Sequence, residues 1–222
     1  MAEPVAVVIP AQPIEVFLLE AVASVLCQPE VNEVVVATYF DDSPTARTIT
    51  RHPDPRVRLE ISSGPSAGAN LDAGVASTTA KWLAFLDADD CWPAGRIATG
   101  LRAVAAEPGT ELVLGYQRAM TADSELLAST APAPLLGAAL VSRAAADRIG
   151  PFGTDIIAQM RWLLRARELG VATVELTDVV LHRRAHDDNV SATRRHELHR
   201  AYLALAREHA ARQRDSLGTR DG

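Results

Sequence analysis

An α/β fold, in which a mostly parallel sheet lies between two layers of helices, is predicted by three features of the sequence. Apolar residues 5–9 and 34–37 mark two strands, and the apolar run at residues 82–86 does not alternate and reads as a further strand covered on both faces. Between them lie segments with apolar residues at helical spacing. Carboxylates follow the strands, Asp41 and Asp42 after the second run and Asp87, Asp89 and Asp90 after the third. Open α/β sheets bind their ligands outside the carboxyl ends of strands.

In order, Val5-Ala6-Val7-Val8-Ile9 is a first strand stopped by Pro10, and residues 14–26 carry the apolar spacing of a helix. Residues 33–37 form a second strand. A polar turn holding Asp41 and Asp42 follows, then a short helix to about residue 49. Residues 56–61 alternate as a third strand, and 66–77 are helical despite Gly68 and Gly74. Residues 82–86 run straight into three carboxylates, and Pro93 stands where a helix could begin. An amphipathic helix over 97–106 ends at Pro108-Gly109, and 111–116 form a fifth strand. Residues 121–134, rich in Ala, Ser, Thr and Pro, are expected to be a mobile loop and the lid. Order resumes at 135–141, with a short helix at 144–149, a turn at 150–153 and a longer helix at 156–169 closed by Gly170. Two short strands, 171–176 and 179–181, precede a basic, His-containing segment at 182–189; a charged helix from 193 to about 213 and a polar tail finish the chain. The expected division is a principal domain over 1–192 and a charged helix with polar tail over 193–222.

The 222 residues, 48% hydrophobic and 23% charged, suffice for one sizeable core. No apolar run approaches the roughly 18 residues of a membrane span, and no basic stretch followed by an apolar one opens the chain, so a cytoplasmic location is expected. Cys27 and Cys91 are too few and too scattered for a disulfide framework or a zinc site, and are expected to be packing residues. A net charge of −6 argues against a general nucleic-acid binder, which needs surplus Lys and Arg to neutralise phosphates. The segment from Arg183 onward is locally basic and leaves room for an anion site.

Asp87 and Asp89, one residue apart in a turn, can both reach one hard divalent cation that takes its remaining ligands from water and substrate phosphates. The alternative is that Asp89 or Asp90 caps the helix begun at Pro93. Likewise Arg183, Arg184 and His186 read either as an anion site or as a solvated basic turn.

Taken together, Val8-Ile9-Pro10, Ser24 to Gln28, Glu33 to Val36, Gly74, Phe85-Leu86-Asp87-Ala88-Asp89-Asp90, Gly150-Pro151-Phe152 and Arg184-Ala185-His186 resemble the family 2 glycosyltransferases of GT-A fold, over about residues 4–192. The resemblance implies a three-layer α/β/α sandwich and metal-dependent, inverting transfer of a sugar from a nucleotide-diphosphate donor to an acceptor hydroxyl. It places Pro10, Ala11, Asp41, Asp42, Asp72, Asp87 and Arg184 against the nucleotide sugar, and Asp89 and His186 on Mg²⁺ or Mn²⁺. The chain departs from the family pattern in three places. Ala37-Thr38-Tyr39-Phe40 intervenes before the acids that meet the base, Leu71-Asp72 replaces Arg-Asn, and Arg161 stands where an acceptor-activating carboxylate is expected. An arginine stays protonated and cannot be a base. Asp155 is the nearest candidate, its alternative being a cap or first-turn acid of the helix. The rival to an enzyme is a GT-A-like subunit that binds nucleotide sugars or a partner without transferring. A nucleotidyltransferase is disfavoured, since Pro10-Ala11-Gln12-Pro13 is no Gly-rich phosphate loop.

Overall fold

The computed structural model describes residues 3–186 and 193–218, with side chains described to residue 208. Its residue contacts divide the chain into one unit ending at Ala185 and a second beginning at His186.

The first unit is built on one mixed sheet. Strands β1 (Val5–Pro10), β2 (Val31–Thr38), β3 (Val57–Ile61) and β4 (Trp82–Phe85) lie parallel in the order β3-β2-β1-β4. Beyond β4 the order continues β7-β5-β6, all antiparallel, formed by β5 (Leu112–Met120), β6 (Leu126–Ala133) and β7 (Leu140–Ser142), while β8 (Thr173–Arg184) runs parallel to β5.

The unbroken apolar runs have their cause in two separate cores. Val5, Val7 and Ile9 face one core with Leu18, Ala21, Val22 and Val25 of α1 (Leu18–Leu26), Ile49 of α2 (Pro44–Thr50) and Ile97 of α4 (Arg96–Ala106). Ala6 and Val8 face the other, with Leu71 of α3 (Ala67–Ala76), Ala145 of α5 (Arg143–Ile149) and Trp162 of α6 (Ala158–Glu168). Every residue of β1 from Val5 to Ile9 is fully buried, each large aliphatic one contributing about 1.5–3 kcal/mol. The layers approach so closely that a Cβ on Gly74 would lie 2.3 Å from Val8 Cγ1, and one on Gly68 1.8 Å from the Gly153 carbonyl oxygen. Only glycine fits there, which is why two poor helix formers sit inside α3.

Several elements differ from expectation. Helix α1 starts at Leu18 rather than residue 14, because Glu15 folds back to accept the Gln12 N–H at 2.7 Å and makes a turn of the preceding segment. The expected loop and lid at 121–134 contains β6, hydrogen-bonded to β5 from Gly115 to Met120. Because β6 is exposed along its length except at Ala133, it carries no alternation to betray it. The two short strands after Gly170 are one strand, β8, with register shifts opposite Leu114–Gln117. Cys27 is exposed, not packed. No helix of the described residues is long and apolar enough to cross a membrane. The second unit contains α7 (Arg195–Gly218), whose start carries an Arg194–Glu197 ion pair at 2.5 Å.

Candidate active site

Because β1, β2 and β4 are parallel neighbours, their carboxyl ends open on one edge of the sheet. Pro10 ends β1; Ala11 is buried, its N–H on Ala37 O at 2.8 Å and its carbonyl accepting from Asn70 Nδ2 at 3.1 Å. Asp41 and Asp42 are exposed in the turn after β2, beside the exposed Tyr39–Phe40 ring pair.

The three acids after β4 have three different fates. Asp87 is half-buried and accepts a hydrogen bond from Gln159 Nε2 at 2.9 Å. Burial first, and then the charge of Asp89, push its carboxyl up to about 6. Asp89 is half-buried and its backbone carbonyl accepts from Arg184 Nε at 2.8 Å. Asp90 is buried, and its Oδ1 accepts the Arg184 backbone N–H at 2.8 Å; burial and the neighbouring acids hold it well above the ordinary carboxyl range. None of them caps α4, whose start is Gly95 with no side-chain cap.

The loop that carries these acids is stapled on several sides. Cys91 and His182 exchange backbone hydrogen bonds of 3.0 and 2.8 Å, joining the loop to β8. From α1, Ser24 Oγ accepts the Trp92 N–H at 3.1 Å, and Gln28, fully buried, donates to Pro93 O at 3.0 Å. The residues Ser24 and Gln28 therefore serve the acid loop from the end of α1.

The adjacent arginines of β8 point to opposite sides. Arg184, expected against the donor, is only 1% exposed, with its guanidinium 4.2 Å over the Phe17 ring and paired to Glu20 at 2.6 Å. Arg183 is the exposed one, and its positive charge reaches both Asp87 and Asp90, lowering the pKa of each against the effect of burial. His186 is half-buried and opens the second unit. Among the described residues, no group of three or more His, Cys, Asp or Glu side chains could hold a metal ion by itself.

On the facing helix, Gln159 reaches the acid loop through its bond to Asp87. Gln159 lies three residues before Trp162, which is 1% exposed, so the two share a face of α6. Arg161 turns back to Asp155, its Nε 2.7 Å from Oδ2. Burial pushes the Asp155 carboxyl up, but the bonds from Arg161 and the Ile157 N–H outweigh it and hold the carboxyl below its ordinary value. Asp72 accepts the N–H groups of Phe152 at 2.7 Å and Gly153 at 3.1 Å, and so fixes the turn that leads into α6. The sequence signal that would have found Gln159 is the helical period counted from Trp162.

The profile described as Glycosyl transferase family 2 matches residues 6–128. Among solved structures, a mannosyltransferase from Pyrobaculum calidifontis, described in complex with GDP-Man and Mn²⁺, is 20% identical with a TM-score of 0.64 over 86% of this chain and 60% of its own. TarS residues 1–349 from S. aureus, described in complex with UDP-GlcNAc, is 13% identical with a TM-score of 0.68, over 86% of this chain and 61% of its own. The chain thus spans about three fifths of the length of these two structures, and at such identity the likeness is one of fold. No curated protein sequence matches.

Proposed function

We propose the following reading for the chain, which belongs to glycosyl transferase family 2: it moves a sugar from a nucleotide-diphosphate donor to an acceptor hydroxyl, with inversion. The observation that carries the reading is the Asp87–Asp89 pair at the carboxyl end of β4, next to the end of β1 and within reach of the Arg183 charge. Expulsion of a nucleoside diphosphate builds negative charge on the leaving oxygens, and fixed positive groups at that edge stabilise it.

The donor set fits a divalent cation such as Mg²⁺ or Mn²⁺. Both side chains offer hard carboxylate oxygens, and the rise of Asp87 to about 6 reflects burial and a like-charge neighbour that a cation would offset. Asp87 and Asp89 would hold the ion, which would keep positions for water and substrate oxygens, as Mg²⁺ usually does. Bound there, the ion supplies Lewis-acid stabilisation of the departing diphosphate. The exposed Arg183 contributes a second positive charge, in the role expected of Arg184. Gln159 orients Asp87, and Asp72 holds the turn that places Gln159.

Asp155 is the proposed acceptor base, weakened by its bond to Arg161. The second reading, a donor-binding subunit without transfer, is favoured by Gln159: the α6 side chain that meets the acid loop is an amide, which takes no proton. Calorimetry of UDP and GDP binding with Mn²⁺ or with EDTA tests the shared premise. Binding is expected to need the metal ion, and Asp89→Ala to abolish that dependence with most of the affinity. Equal affinity in EDTA would remove the metal site from the proposal.

A further inference from the structure

We propose that Arg184 is a positioning residue that holds the Asp89 peptide in place and locks it to the β5–β6 hairpin, rather than a ligand of the donor. The inference rests on the reading that Asp89 serves the donor diphosphate.

A guanidinium has five N–H donors in a rigid planar fork. In Arg184 all five are directed at protein acceptors. Nε donates to Asp89 O at 2.8 Å, Nη1 to Ala122 O at 2.8 Å and Ser124 Oγ at 2.9 Å, and Nη2 to Glu20 Oε2 at 2.6 Å and Cys91 Sγ at 3.7 Å. A phosphate oxygen could bond this group only by displacing one of these partners. The backbone N–H of the same residue is taken by Asp90 Oδ1. One residue therefore contacts all three successive positions from Asp89 to Cys91, together with the first turn of α1.

The hairpin enters through the same fork. Ser124 is the one non-glycine residue at positive φ among the described residues, at 66°, a conformation unfavourable to a side chain. It is stabilised by the Arg184 bond and by donation from Ser124 Oγ to Glu20 Oε2 at 3.0 Å. The hairpin turn and the acid loop thus share one buried cation, and neither can move without unpairing it, which the desolvated charge strongly resists. Partners hydrogen-bonded to metal-ligating side chains typically change metal affinity by about 10–100-fold, and Arg184 acts one step behind them, on the Asp89 peptide.

The test uses the full chain with Arg184→Lys, Glu20→Gln and Ser124→Ala. Lysine keeps the charge but has three donors and no fork, so it cannot satisfy the same partners. In the free protein, amide exchange of residues 87–91 and of 121–125 is expected to quicken together in all three variants, with β1 and β2 unchanged. In thermal-shift titrations with UDP and GDP, the Mn²⁺ concentration for half-maximal stabilisation should rise by about tenfold or more and be overcome by excess Mn²⁺. At saturating Mn²⁺, affinity for either nucleotide should return to the wild-type value. Wild-type exchange of residues 87–91 in the variants overturns the proposal, as does a loss of nucleotide affinity that excess Mn²⁺ does not restore, the mark of a lost phosphate ligand. Should Arg184→Lys not fold, Glu20→Gln and Ser124→Ala, both altered at exposed side chains, decide on the same exchange readout. If the wild type binds neither nucleotide nor Mn²⁺, the proposed function falls, while the exchange result still decides whether Arg184 couples the two segments.

Discussion

Replacing Asp87 by Asn should stabilise the metal-free protein at neutral pH and not in acid. The ordinary carboxyl value of 3.8 is raised to about 6, first by burial and then by Asp89. A shift of roughly two units corresponds to about 3 kcal/mol at most, at 1.36 kcal/mol per unit. Because the carboxyl keeps some contact with solvent, about 1–2 kcal/mol is the expected share. Below the unfolded value both states carry the proton and the carboxyl has no effect. As pH rises toward 6 the unfolded chain releases its proton while the folded chain retains it, so stability falls, and above about 6 the whole penalty stands. The amide oxygen of Asn still accepts from Gln159, so the substitution removes the charge and keeps the bond. It also removes a charge that raises Asp90, an effect of the same sign.

Urea unfolding in EDTA at about pH 7.5 and about pH 4 measures this directly. Asp87→Asn should exceed wild type by the stated amount at the higher pH, or by about 2–4 °C in Tm per kcal/mol for a chain of this size. At the lower pH, close to the ordinary carboxyl value of 3.8, the gap should narrow to a small part of that amount. Wild-type stability of the variant at pH 7.5, or an equal gain at both pH values, would refute the claim that the folded protein holds Asp87 as a strained acid. A gain confined to neutral pH would show stability given up for function at this position.

Arg183→Gln should weaken UDP or GDP binding in the presence of Mn²⁺ by about tenfold, the worth of one charge-assisted hydrogen bond, while the Tm of the free protein stays constant; calorimetry and a melt together check both halves. Gly74→Ala should lower unfolding free energy by about 1–3 kcal/mol, since its Cβ would meet Val8 Cγ1 at 2.3 Å, and a denaturant melt reads the loss. Asp155→Asn should reduce transfer to an added acceptor by about 10²–10⁴-fold with donor affinity retained. An unchanged rate would remove Asp155 as base, and a wild type that binds donor without transferring or hydrolysing it would favour the binding-subunit reading.

Strands β1, β2 and β4 were legible because both faces of each are buried, which writes an uninterrupted apolar run into the sequence. The starts of α2 and α3 have a local cause, since Ser43 and Ser66 accept the N–H of Ala46 and Ala69 and so cap them. Strand β6 was not legible, because an exposed edge strand has no inward face to impose a period. Residues 171–176 and 179–181 read as two strands in the sequence, whereas in the fold the ladder passes Thr177 and Asp178 by shifting register.

The acids illustrate a harder limit. Asp87, Asp89 and Asp90 are one residue type within four positions, and no local rule separates them. Asp90 is set apart by the Arg184 backbone 94 residues later, and Asp87 by Gln159, 72 residues away. The two arginines repeat the case: strand geometry requires that Arg183 and Arg184 face opposite sides, but which side is inward depends on where β8 meets the acid loop. That meeting is fixed by the Cys91–His182 bridge, between residues that no motif singles out for the purpose. Counting outward from His182 along a continuous β8 assigns Arg184 inward to Glu20 and leaves Arg183 outward at the site. The chemistry of the site is therefore written in short motifs, whereas the assignment of each side chain to ligand or scaffold is written in the pairing of distant strands.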